Sequence, residues 1–360
     1  MKAWKKISFI AMLSLVLMAG CTPFVENNEV EDIAPVIFWS ISETDEGKLE
    51  ISTLVPPLVK EKKRLLTLNV DLIEEGGKEF NLLYYRELKT GQLRMVLINE
   101  ELAKKGIRPI LESMLTDPDI SQRLFLLIFR GNFKDYIQNQ LNQQENLDYF
   151  LYSMLRHYDE YNQGEMSIIN LHQFMKRLYS PYSFPILPVF KADKDSLIYE
   201  GTAFFSEDKL ITSIEKLDEQ LFQLLSNDHY LKLFAIPDLA VTLGHVRSNV
   251  KINFDQKQSL ISFKVMLDGR IEEYRGEKNI LKDQGFYAFN QEIESYLEKQ
   301  TTDLLNKMQE LKVDPMQIGT NTLSPFSKPM SEKDWLYFWE KANFDVDFNL
   351  KIEPLTNVGQ

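Results

Sequence analysis

One cysteine in 360 residues excludes a disulfide framework, so packing alone must hold the fold. No apolar run reaches the eighteen or so residues that a membrane-spanning helix needs, and the longest outside the amino terminus is Leu124 to Phe129. Catalytic signatures are missing as well. There is no Gly-x-Ser-x-Gly elbow, no Walker loop and no His-Glu-x-x-His pair. The four histidines, His157, His172, His229 and His245, are well separated. His157 beside Asp159 and Glu160 has the residue types of a metal site, but adjacent helical positions face different ways, so a solvated helix face is expected. The sequence carries no internal repeat and no low-complexity segment.

The lone cysteine, Cys21, sits where an export signal ends. Lys2, Lys5 and Lys6 precede a twelve-residue apolar run from Ile7 to Met18, and Ala19-Gly20-Cys21 follows. A basic start, a run too short to span a bilayer and small residues before the cysteine make a bacterial lipoprotein signal. In that chemistry Cys21 receives an S-diacylglyceryl group and becomes the first residue of the mature chain, its new amino group open to N-acylation. An ordinary cleaved signal would leave an exported chain with one unexplained thiol. The expectation is a signal peptide over 1–20, a lipidated tether over 21–34, and a protein anchored to a membrane on its extracytoplasmic face without crossing it. A near absence of cysteine also fits a Gram-positive-type surface.

The apolar fraction of 44 % is ordinary for a folded protein. Removing the signal takes three lysines with it and moves the formal charge from −12 to −15. Such a surface repels nucleic acid and anionic headgroups. The basic run Lys60-Glu61-Lys62-Lys63-Arg64 is a local exception; it could touch lipid headgroups but reads more readily as a solvated loop.

The pattern along the chain predicts mixed α/β (α+β) architecture in more than one domain. Val36–Ile41 and Leu49–Val55 flank Asp45-Glu46-Gly47, a β-hairpin signal, and Pro56-Pro57 ends the second strand. Gly76-Gly77 reads as a turn. Leu93–Ile98, apolar except for Arg94, and Leu124–Phe129 read as buried strands around helical segments at Glu100–Lys105 and from Ile110 to Leu115, which argues a parallel, right-handed βαβ crossover in a mixed amino-terminal sheet. Arg94 is a candidate partner for Asp117. Helices follow at about 133–142, 146–160 and 167–178, and 181–196, with three prolines, reads as an extended exit. The expected amino-terminal domain is 35–195.

Residues 196–357 have a different texture, with a further break near 280 as an alternative. Gly201–Phe205 and Lys209–Thr212 suggest a tight hairpin, and Ile214, Leu217, Leu221, Leu224 and Leu225 share a helix face. Val250 to Phe254 and Ile261 to Leu267 alternate as half-buried strands, and a long helix covers about 284–312. Phe344, Val346, Phe348, Leu350 and Ile352 alternate in a final strand. The expected carboxy-terminal unit is an antiparallel sheet packed with a long helix. Trp335 and Trp339, at i and i+4 beside Phe338, could stack a ligand but read as core.

These residues are similar to a family. Glu100-Glu101-Leu102-Ala103 with Gly106-Ile107, and then Asp117-Pro118-Asp119-Ile120-Ser121-Gln122-Arg123, resemble the amino-terminal motifs of the spore-germination Ger(x)C lipoproteins. Gly201-Thr202-Ala203-Phe204-Phe205, Asp208-Lys209-Leu210, Asp314-Pro315-Met316-Gln317-Ile318-Gly319 and the Trp335–Trp339 segment resemble their carboxy-terminal motifs. The glycine-rich element is reduced to Pro315 and Ile318, and Thr22-Pro23 stands where the family usually has tryptophan. The resemblance implies the C-subunit of a nutrient germinant receptor, on the outer face of the spore inner membrane beside transporter-like and channel-like membrane subunits. It implies no enzymatic activity and no cofactor. The competing class is a lipid-anchored extracytoplasmic solute-binding protein, which needs two similar lobes around a cleft; the two halves here differ in texture.

Overall fold

Apolar strands at the centre of the chain, with no polar face, require cover on both sides, and that is how they are found. In the computed structural model, residues 32–56, 63–84, 86–141, 143–144, 146–161, 166–225, 229–323 and 330–354 are described. Strand β1 (Ile33–Pro35) enters first, and β2 (Phe38–Glu43) and β3 (Leu49–Val55) form the expected antiparallel hairpin, extended by β4 (Arg64–Val70). Helix α1 (Ile73–Leu83) follows. Gly76 lies inside it, on the side facing the sheet, rather than in the expected turn; its absent Cβ would stand 3.5 Å from Ile51 Cδ1, an ordinary contact distance. Strand β5 (Glu87–Lys89) pairs in parallel with β1.

The crossover is present. Strand β6 (Met95–Asn99), helices α2 (Glu100–Lys105) and α3 (Arg108–Thr116), and β7 (Phe125–Gly131) bring β6 and β7 together in parallel. Val96 and Ile98 are buried with Leu102, Leu111 and Met114 on one face, and Met95 and Leu97 with Phe133, Ile137 and Leu151 on the other. This double cover explains the unbroken apolar run. The second face belongs to α4 (Phe133–Gln140) and α5 (Leu147–Tyr161); short strand β8 (Ile169–Asn170) leads into α6 (Leu171–Leu178), opened by an Asn170–Gln173 capping box.

Residues 186–192 are not an exit. They form β9 (Ile186–Ala192), which pairs in parallel with β7 and antiparallel with β10 (Leu197–Ser206). The three prolines hide a strand whose Leu187 and Val189 are fully buried. Strand β11 (Lys209–Glu215) closes the expected hairpin, so the nine-stranded sheet, ordered β11-β10-β9-β7-β6-β2-β3-β4 with β8 beside β7, continues across residue 196. Ile214 belongs to β11, and helix α7 (Lys216–Leu225) starts after it.

The second sheet contains β12 (Tyr230–Ile236), β13 (Val241–Asp255) and β14 (Leu260–Tyr274), all antiparallel, as the alternation predicts. Helix α8 (Asp283–Glu310) and helix α9 (Glu332–Trp339) then precede β15 (Asn343–Glu353), which joins β14 in parallel. Alternation gives a strand's faces but not its direction; the long helical connection carries the chain back to run parallel. Helix α8 also covers the free edge of β15. Glu298 Oε1 accepts from the Phe348 amide at 3.1 Å and Glu294 Oε1 from the Leu350 amide at 2.9 Å. Four helical residues rise about 6 Å and two strand residues about 6.6 Å, so the two spacings match. Such cover stops the edge from pairing with another chain. The largest hydrophobic cluster runs unbroken from the first sheet through Leu221 and Leu224 to Phe234, Phe263 and Leu305 in the second.

Candidate functional site

Cys21, the one residue to which the sequence assigns chemistry, lies outside the described residues. What the structure does place are the motif segments, and it brings distant ones into contact. Asn99 caps α2 by accepting from the Glu101 amide at 2.9 Å, while Leu102 and Ala103 point into the core. Gly106 ends that helix at φ +125°, a conformation that favours glycine, and a Cβ there would stand 2.7 Å from Asp208 Oδ2. The Ile107 amide donates to Asp208 O at 3.1 Å and the Arg108 amide to Asp208 Oδ2 at 2.9 Å. Two motifs 100 residues apart are therefore one structural unit: the turn of the β10–β11 hairpin caps the start of α3.

Arg130, which the sequence did not single out, fixes the other side of this unit. Its Nη1 donates to Glu200 at 2.9 Å and Glu215 at 2.8 Å, and its Nη2 to Glu100 at 3.0 Å and Ser213 at 2.5 Å. Burial works to lower the pKa of the guanidinium; its hydrogen bonds to the Glu100, Glu215 and Glu200 carboxylates outweigh that and hold the group above the ordinary arginine value. The only sequence signal was an arginine closing an apolar strand just before Gly131. Replacing Arg130 by methionine leaves three carboxylates facing one another in a partly open site. Discounted for that exposure, the expected cost is about 2 kcal/mol in denaturant unfolding. An unchanged midpoint would show that the cluster is merely superficial.

Arg94 does not meet Asp117. It donates to Gln92 Oε1 at 2.8 Å, and Asp117 Oδ1 instead accepts from the Asp119 amide at 2.9 Å, shaping the Asp-Pro-Asp turn.

The reduced glycine motif builds a loop around a carboxylate. Asp314 is fully buried; Oδ1 accepts from the Ile318 amide at 2.9 Å and Oδ2 from the Gly319 amide at 2.8 Å. Gly319 packs against the indole of Trp335, where a Cβ would stand 2.6 Å from the ring. Trp335 and Trp339 are both fully buried, their ring centroids 5.8 Å apart, so they are core, as the sequence suggests. Burial pushes the Asp314 carboxyl up to about 7, against the Gly319 and Ile318 amides and the positive field of Arg177. Arg177, on α6, donates to Pro315 O at 3.1 Å and to Phe184 O at 3.4 Å, which joins the first sheet's helices to this loop.

A third buried polar group is Glu219 on α7. Its Oε1 accepts from Tyr199 at 2.7 Å, Thr202 at 2.9 Å and Gln223 at 2.7 Å, and burial raises its pKa. Among the described residues no group of three or more His, Cys, Asp or Glu could hold a metal ion. His157 stands edge-on to Tyr158 with centroids 5.8 Å apart. An open cleft of about 620 Å³ lies at the end of the second sheet, lined by His245, Asp268, Arg270, Asn290 and Lys351. These arrangements tie distant segments together: the Arg130 and Glu219 groups join elements of the first sheet, and Arg177 ties α6 to the loop around Asp314.

Two family profiles match the chain: "Spore germination protein N-terminal domain" over residues 26–192, and "Spore germination B3/ GerAC like, C-terminal" over residues 200–355. Spore germination protein GerQC of Bacillus cereus is 20 % identical over 273 residues, covering 74 % of this chain and 75 % of the relative. The putative spore germination protein YfkR of Bacillus subtilis (strain 168) is 22 % identical over 311 residues, covering 80 % and 76 %. The crystal structure of the GerBC protein superposes with a TM-score of 0.53 at 14 % identity, over 87 % of this chain and 96 % of that one, a likeness of fold.

Proposed function

Because the chain belongs to the Ger(x)C family of spore-germination proteins, over both its domains, we propose that it is the lipid-anchored C-subunit of a nutrient germinant receptor. In this reading Cys21 carries a diacylglyceryl anchor, the folded part sits on the outer face of the spore inner membrane, and its partners are a transporter-like and a channel-like membrane subunit. It acts by protein–protein interaction, without catalysis and without a cofactor. One observation carries the reading: the similarity runs in order along nearly the whole mature chain, and the matching segments at Glu100–Ile107 and Asp208–Leu210 are those that dock on each other. The lipid completes it. Two acyl chains, each burying methylenes worth about 0.8 kcal/mol, hold far more firmly than one.

The partner claim has its own test. When spore membranes are solubilised in mild detergent, an affinity tag on this chain should bring down both multi-pass subunits. Recovery of the chain alone, with the other two subunits intact in the extract, would contradict a receptor subunit and favour a free-standing lipoprotein.

A further inference from the structure

We propose that one end of the first sheet, carrying Leu82, Leu83, Tyr149 and Phe150, rests in the headgroup region of the bilayer that holds the anchor; this rests on the anchored reading above. These four large apolar side chains are 86 %, 62 %, 55 % and 50 % exposed, yet they come from different parts of the chain. Local contacts hold them at one end. Lys63, just before β4, pairs with Asp148 at the start of α5 at 2.6 Å, beside Tyr149 and Phe150. The next residue, Arg64, stacks its guanidinium over the ring of Tyr84 at 5.2 Å, directly after Leu82 and Leu83. Tyr84 in turn donates to Pro56 O at 3.2 Å and packs with Ala34 and Val55. Tyr84 thus ties Leu82 and Leu83 to the place where the chain enters its first strand, and the adjacent Lys63 and Arg64 tie Tyr149 and Phe150 to the same end.

That entry point is what identifies the occupant. Residues 22–32 are all that separate the lipid-bearing Cys21 from β1, and fully extended they reach at most about 40 Å. Within α1 the buried positions Ile73, Gly76 and Phe80 define the sheet-facing side. At 100° per residue Leu82 points almost directly away from it, so the sheet gives this side chain no apolar cover. Leucines and aromatics beside Arg64 have the composition of a membrane-interface contact, with apolar and aromatic groups at headgroup depth and a cation to meet phosphate. The overall negative charge argues that apolar insertion, rather than electrostatic attraction, makes the contact. Lys63 and Arg64 thus serve as struts of this end of the protein, where the sequence alone suggested a solvated loop.

The sequence supplies the probe. Because Cys21 is the only cysteine and its thiol is consumed by the lipid, Leu82→Cys introduces a unique labelling site, and Phe150→Cys a second. Tyr337→Cys, exposed on α9, serves as the control. The full-length lipidated chain, bearing an environment-sensitive fluorophore, is reconstituted on vesicles of phosphatidylcholine and phosphatidylglycerol. Labels at 82 and 150 should shift to shorter wavelength and be quenched by nitroxide-bearing lipids, while the label at 337 stays aqueous. Protein that floats with the vesicles while the 82 label remains as aqueous as the 337 label would overturn the proposal and assign the patch to a protein neighbour. Protein that does not float at all would overturn the anchored reading and this proposal with it.

Discussion

Gly201→Ala should destabilise the chain by about 3 kcal/mol and lower its melting temperature by about 4 °C. Gly201 lies in β10, between β9 and β11, where the register against β9 shifts between Tyr199 and Gly201. A Cβ there would stand 1.9 Å from Ile214 O and 2.9 Å from Ile214 C. Those neighbours are backbone, so no side-chain rotation relieves the clash, and the hairpin would have to part from the sheet. Gly47 provides the contrast. It has φ +83° but nothing within 4 Å of its absent Cβ, so Gly47→Ala should cost only about 1 kcal/mol, from the strained backbone alone. Equal melting temperatures for the two variants would mean that β10 and β11 are not held as described.

The second large effect is at Asp314. Asp314→Ala removes the acceptor for two buried amides, Ile318 and Gly319, and each unpaired donor costs about 1–3 kcal/mol, so a loss of about 2–6 kcal/mol is expected in urea unfolding. Asp314→Asn keeps one acceptor oxygen and should lose less. The pH dependence separates the charge from the hydrogen bonds. In the folded chain the carboxyl titrates near 7, above the ordinary aspartate value of 3.8, so the folded state holds a proton that the unfolded state gives up first. This contribution is fully present below about pH 4 and is lost as the pH rises toward and through 7. Wild-type stability should carry that decline, and Asp314→Asn should flatten it. A decline of equal size in both proteins would place the titration elsewhere.

How much of this was legible beforehand depended on whether the signal was local. The Asp45–Gly47 hairpin, the β6–β7 crossover, the β10–β11 hairpin, the long helix and the alternation of β15 each write their pattern within a few residues, and each is present. Strand β9 escaped because its prolines look like a linker, and only pairing with β7 and β10 reveals a central strand. Gly76 reads as a turn by residue type, yet it lies inside α1, because the helix is held by burial of Ile73 and Phe80 against the sheet rather than by local propensity. The parallel direction of β15 depends on the helix before it. The Arg130 cluster and the Arg177–Pro315 link are invisible in the sequence because they join residues thirty or more apart, and 138 apart in the second case. The motif segments themselves were legible, but their docking on one another was not.

The most direct test is a comparison of spores carrying the wild-type chain with spores carrying Cys21→Ala, the protein being assayed in membrane and soluble fractions and the spores exposed to the receptor's own nutrient. A lipid-anchored receptor subunit predicts that the variant leaves the membrane fraction and that the nutrient response is largely lost, while germination by a route that bypasses receptors is unchanged. Full nutrient germination by spores whose variant is entirely soluble would contradict it.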